Sequence, residues 1–166
     1  MDDAFTEYAA QHHRRLCQMA YLLCRDRGAA EDLVQTALAR AWLAWRRIEG
    51  DPDPYVYRII VNTQASWWRR RWRGEIPTGA LPDLADQRDV ATDVSDQDVI
   101  WTAIGTLSSR QRAVVVLHYY EGLTLGQVAE IVGCSPGAVK SHLSRALGRL
   151  RVDPGIRSEQ MEGFQR

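Results

Sequence analysis

The chain has 166 residues, 45% of them hydrophobic and 25% charged, with 21 basic side chains balanced by 21 acidic ones. These proportions are ordinary for a soluble globular protein and exclude a collagen-like, disulfide-scaffold or membrane-spanning chain; no apolar run nears the ~20 residues a span needs. Three cysteines form no even disulfide framework, and no signal peptide is visible, so the expectation is a cytoplasmic protein with reduced thiols. The zero net charge hides a strong polarisation along the chain. Four arginines surround Trp72 in residues 69–73, seven acids face the single base Arg88 in residues 75–98, and residues 140–151 contain bases and no acid.

The first 73 residues predict three helices. Phe5, Tyr8, His12, Leu16, Met19, Ala20 and Leu23 recur at spacings of three and four, which predicts an amphipathic helix stopped at Gly28. Leu33, Val34, Ala37, Leu38, Ala41, Trp42, Trp45 and Ile48 form a second apolar stripe, ended by Gly50-Asp51-Pro52-Asp53-Pro54. Asp53 suits the cap of a third helix with Pro54 at its first position, running to about Arg73 and closed by Gly74. Residues 75–95 carry Pro77, Gly79, Pro82 and most of the acids without a sustained period, and read as a linker between two domains, 1–74 and 96–151.

The second half predicts four helices. Val99, Ile100, Ala103, Ile104 and Leu107 give the first; Ser108 with Gln111 forms a capping box for the second, which reaches Glu121-Gly122. Thr124 with Gln127 is another capping box, opening a short helix to Val132, and Gly133 breaks it. Ser135-Pro136 then caps a last helix through Val139, Leu143, Leu147 and Leu150, followed by a polar tail, 152–166. The fold class is therefore all-α, in two small helical domains.

A helix of about eight residues, a tight turn at Gly133 and a longer basic helix fit a helix-turn-helix. Val139 faces the core of that motif, leaving Ala138, Lys140, Ser141, Ser144 and Arg145 toward base edges and Arg149 and Arg151 toward phosphates. The same spacing also suits a plain helical hairpin with a solvated basic face. At the end of the third helix, Trp67 and Trp68 with Arg69, Arg70, Arg71 and Arg73 combine stacking surfaces with phosphate-neutralising charge. The competing reading makes these tryptophans core residues and the arginines complements of the helix dipole. His13 and Cys17 lie one helical turn apart and Cys24 two turns beyond, with no fourth ligand evident, so no metal is expected. No phosphate loop or nucleophile elbow occurs, and neither a cofactor nor catalysis is expected.

These segments, in this order, resemble the extracytoplasmic-function class of bacterial sigma factors, over about residues 3–151. Ala30-Glu31-Asp32-Leu33-Val34-Gln35 is similar to the segment that grips the clamp helices of RNA polymerase. The resemblance implies polymerase contacts at Asp32, Gln35 and Thr36, although the family usually carries an acid where Thr36 stands. The stretch Tyr55 to Thr63 is similar to the helix that reads the −10 promoter element, which implies roles there for Tyr55, Arg58 and Asn62. The loop Glu49 to Asp53 corresponds to the loop that holds a flipped base, but it has no aromatic residue. Val139-Lys140-Ser141 and Arg145 match the −35-reading segment, and Leu107 to Arg112 the entry to that region. The implied partners are core RNA polymerase (clamp helices and flap), promoter DNA and an anti-sigma factor, with no membrane insertion. The residues alone leave two other readings open: a stand-alone helix-turn-helix regulator that binds operator DNA, and an interaction protein without a DNA role.

Overall fold

The computed structural model describes residues 3–74, 99 and 102–151; the proposed linker 75–95, the tail 152–166 and Ile100 lie outside them. Helix α1 spans Asp3–Cys24, α2 Arg27–Ala44 and α3 Asp53–Trp72, and a 3-10 turn at Trp45–Arg47 follows α2. After a helical turn at residues 102–104 come α4, Ser109–Val115, a π-helical segment, Val116–Tyr120, then α5, Leu125–Val132, and α6, Pro136–Arg151.

The first helix ends earlier than expected. Arg25 adopts a left-handed φ of 61°, and its N–H donates to the Tyr21 carbonyl at 2.7 Å, closing α1. Asp26 then caps α2 by accepting the Ala29 N–H at 2.6 Å, so Gly28 falls inside the first turn of α2 and stops nothing. At α3 the N-cap position falls on Pro52, not Asp53; Asp51 accepts the Asp53 N–H at 3.0 Å. The Asp53 carboxylate is thereby released for tertiary contacts, and Oδ1 accepts the Tyr8 hydroxyl at 2.7 Å.

Both expected capping boxes form, Ser108 with Gln111 and Thr124 with Gln127. Gly133 closes α5 at φ +77°, a conformation that favours glycine, and the Ser135 hydroxyl accepts the Ala138 N–H at 3.1 Å to start α6. The helix opened by Ser108 does not remain α-helical to Glu121. It widens into the π segment, where the Glu121 N–H reaches back five residues to the Val116 carbonyl at 3.0 Å.

The apolar faces of the two halves merge into one core. Leu16, Met19, Leu23, Leu33, Val34, Val56, Tyr57 and Ile60 from the first three helices join Ile104, Val114, Leu117, Val128, Ile131, Val139 and Leu150. Trp42, expected in the α2 stripe, is instead 40% exposed and stands edge-on to Phe5 at 5.1 Å.

Arg112 ties the halves together from inside. Its buried guanidinium donates to the carbonyls of Leu23 at 2.6 Å, Gly105 at 2.8 Å and Leu107 at 3.0 Å. The Leu23 carbonyl belongs to the last turn of α1, where carbonyls lack intrahelical donors and the helix dipole is negative. Burial, with Arg25 nearby, lowers the Arg112 pKa, yet a guanidinium stays protonated at any physiological pH. Arg112→Met should lower stability by about 3 kcal/mol or more in urea unfolding, because three carbonyls lose charge-assisted donors at once; a loss within about 0.5 kcal/mol, typical of surface positions, would refute this bracing role.

Candidate nucleic-acid interface

Helix α6 buries Val139, Leu143, Ala146 and Leu150, spaced at three and four, against α4 and α5. That stripe fixes the opposite face. Lys140, Ser141, Ser144, Arg145, Arg149 and Arg151 are exposed, whereas Ala138 is half-buried at the first turn. Ala129, 4% exposed, and fully buried Val139 occupy the positions expected for the crossing of the two helices. Arg110 braces this unit by donating to the Val132 carbonyl at 2.6 Å, close to the end of α5. Beside it, His142 is half-buried; burial, Arg110 and Arg145 together hold its pKa below the ordinary histidine value. The imidazole is therefore neutral at neutral pH, and the positive charge of this face comes from arginine and lysine.

Helix α3 buries Val56, Tyr57, Ile60, Val61, Thr63 and Gln64. At about 100° per residue, Tyr55, Arg58, Asn62 and Arg69 fall within an arc of about 60°. Arg58, Asn62 and Arg69 are exposed and Tyr55 is half-buried, so these four form one continuous face. Arg70 is exposed at its border. Trp67 and Arg71 are not brought onto it: both are half-buried and lie more than about 100° away, and Trp67 packs against the core. One Arg71 Nη2 is buried without a hydrogen-bond partner. The −10 set read from the sequence is thus divided between two faces.

On α2, Asp32 and Gln35 are exposed and three residues apart, while Thr36 is half-buried. Gln35 lines an apolar groove between α1 and α2 together with Phe5, Leu38, Trp42 and Leu43. Leu43 is 79% exposed. Sequence reasoning missed it because attention rested on the apolar stripe; the available signal was a large aliphatic residue lying off that stripe. It also missed Glu121, whose side chain is 1% exposed and forms an ion pair with Arg15 of α1.

Residues 9–74 match the description Sigma-70 region 2, and residues 97–150 match Sigma-70, region 4. RNA polymerase sigma-E factor of Streptomyces coelicolor is 36% identical over 98% of this chain and 92% of its own length. ECF RNA polymerase sigma factor SigM of Mycobacterium tuberculosis is 31% identical over 89% of this chain and 75% of its own. Among solved structures, the sigma factor RpoE of Bartonella quintana, in complex with the anti-sigma factor NepR, superposes with a TM-score of 0.71 at 28% identity, covering 90% of this chain and 98% of that one. Two matched regions in order, on three helices and a helix-turn-helix unit, place the chain in the sigma-70 family, as an extracytoplasmic-function RNA polymerase sigma factor.

Proposed function

We propose that this sigma factor, which directs core RNA polymerase to its promoters, divides the work among three surfaces. The face of α6 formed by Lys140, Ser141, Ser144 and Arg145 reads the −35 duplex, with Arg149 and Arg151 on phosphates. Tyr55, Arg58, Asn62 and Arg69 on α3 meet the −10 element, and Arg70 supplies charge to its backbone. Asp32, Gln35 and the half-buried Thr36 join the clamp of the polymerase, with the apolar groove beside Gln35 giving that contact its hydrophobic component. The observation that carries the reading is the α6 face: every large apolar residue of α6 points inward except the half-buried Leu147, and all four of its bases lie exposed.

The mechanism is binding rather than bond making. Duplex contacts at −35 fix the register, and bases unstacked at −10 are trapped on α3, so promoter opening is driven by differential affinity for separated strands. Trp67 and Tyr55 are both half-buried and pack against the core, so either can meet a base only through its exposed edge. The chain works in the cytoplasm in this reading, and no helix among the described residues is long and apolar enough to cross a membrane. An anti-sigma protein is a partner by likeness to the Bartonella sigma factor. The stand-alone regulator loses its basis, because residues 9–74 match a sigma region and not a sensing module.

Purified chain added to core polymerase should yield promoter-dependent run-off transcripts from its genomic templates; core enzyme with no added specificity on any such template would overturn the assignment. Arg145→Ala should cost about 1–3 kcal/mol and relax preference at one −35 position, whereas Arg70→Ala should weaken binding evenly and flatten its salt dependence. Competition among −35 variants separates the two, and a uniform loss for Arg145→Ala would remove it from base reading. Leu43→Glu places a charge on an apolar contact and should lower affinity for core polymerase about tenfold or more while leaving thermal stability unchanged. Unchanged co-purification would remove the groove from the docking surface.

A further inference from the structure

None of the three proposed surfaces uses Tyr8 of α1, yet this side chain joins the two elements that flank one of them. Its hydroxyl donates to Asp53 Oδ1 at 2.7 Å, and its buried ring lies 5.3 Å from Trp45 and stacks on His12 at 4.3 Å. Trp45 opens the 3-10 turn that leaves α2, and Asp53 is the first residue of α3. One tyrosine therefore holds both ends of the loop 48–52, which leads onto the −10 face. On the α2 side the hold is shared: Phe5 stands edge-on to Trp45 at 5.2 Å, and the Trp45 carbonyl accepts the Ile48 N–H at 3.2 Å.

On the α3 side, fewer contacts set the position of the chain. Pro52 and Pro54 bring no N–H groups, and the Asp53 N–H goes to Asp51 inside the loop itself. Gly50 turns at a φ of +74° with open space where a Cβ would stand, so packing does not fix the turn. The half-buried Asp53 carboxylate is left to anchor the first turn of α3. Its Oδ2 lies 3.3 Å from the Tyr57 hydroxyl and 3.6 Å from Arg15. Tyr57 has one proton, however, and its shorter contact, 2.9 Å, is to Glu121. The bond from Tyr8 is the shortest that Asp53 accepts. Burial and the Asp53 carboxylate raise the Tyr8 pKa, so this hydroxyl keeps its proton and donates at every physiological pH.

Tyr55 and Arg58 follow two and five residues after Asp53, on the first two turns of α3. Recognition needs contacting groups held to within about 0.5 Å, and a shift of that first turn re-aims the exposed edge of Tyr55. We propose that Tyr8 is a positioning residue for −10 recognition: through Trp45 and Asp53 it fixes the loop 48–52 and, with it, the first turn of α3. The proposal rests on the assignment of α3 as the helix that meets the −10 element. Tyr8 touches no DNA in this role. It sets how strictly the −10 sequence is read, and leaves the −35 contacts of α6 alone.

The test uses the full chain assembled with core polymerase. Tyr8→Phe keeps the ring between His12 and Trp45 and removes only the donor. In competition among single-base variants of the −10 element, the penalty for a wrong base should shrink about threefold or more. The ranking of −35 variants and the far-ultraviolet helix signal should stay as in the wild type. Asp53→Asn retains an acceptor for the Tyr8 hydroxyl and should keep the −10 ranking, whereas Asp53→Ala should relax it. Adding Tyr8→Phe to Asp53→Ala should relax it no further, because the two residues act through one bond. Wild-type −10 discrimination in Tyr8→Phe, or an equal loss of −10 and −35 discrimination, overturns the positioning role. Asn62→Ala is scored in parallel. A shift in −10 ranking with Asn62→Ala and none with Tyr8→Phe overturns the role of Tyr8 alone, and no shift with either overturns the assignment of α3 as well.

Discussion

The buried guanidinium of Arg112 is the constraint around which the two regions are arranged. Removing such a group from water costs several kcal/mol, and no carboxylate among the described residues repays it. Three carbonyls do, one from the end of α1 and two from the turn before α4. The Leu23 carbonyl would otherwise end α1 without a donor, so that bond forms only when region 4 sits on region 2, whereas the Gly105 and Leu107 carbonyls hold the guanidinium from within region 4. Nε of the same group stays unpartnered, and the balance is correspondingly fine. The α4 and π segments are thus pinned at both ends, by Arg112 near the start and by Glu121 just beyond the finish.

What was legible in the sequence was local. Capping boxes at Ser108 and Thr124, the turn at Gly133 and the inward stripe of α6 all act within a few residues, and each is found where spacing placed it, save that Ala146 is buried in α6 and Leu147 only half-buried. The errors arose where a side chain serves a distant partner. Asp53 looks like a cap for α3, but its partner Tyr8 is 45 residues away. Glu121 reads as a helix-ending acid, and Arg15 is 106 residues before it. Trp67 lies in an arginine-rich run that suggests stacking on bases, yet packing against the core claims it. The composition of residues 75–95 reads as a linker joining two helical domains, and it carries no information on whether those domains have complementary faces.

The neutral net charge is a sum over unlike segments: residues 75–98 hold seven acids against one base, and residues 140–151 hold bases and no acid. Glu121 and Asp53 are the acids drawn into the interface between the regions, and the base they engage there, Arg15, belongs to neither reading surface. Arg58, Arg69 and Arg70 of α3 and the lysine and arginines of α6 are exposed. Local fields at those two faces attract phosphate, while a balanced total limits attraction to DNA at large. Net charge counts every side chain equally, whereas a phosphate backbone senses only those within about a Debye length of the contact, about 8 Å at physiological ionic strength. For a protein that must find few promoters among much DNA, a low global charge with concentrated local charge favours the specific complex over the nonspecific one.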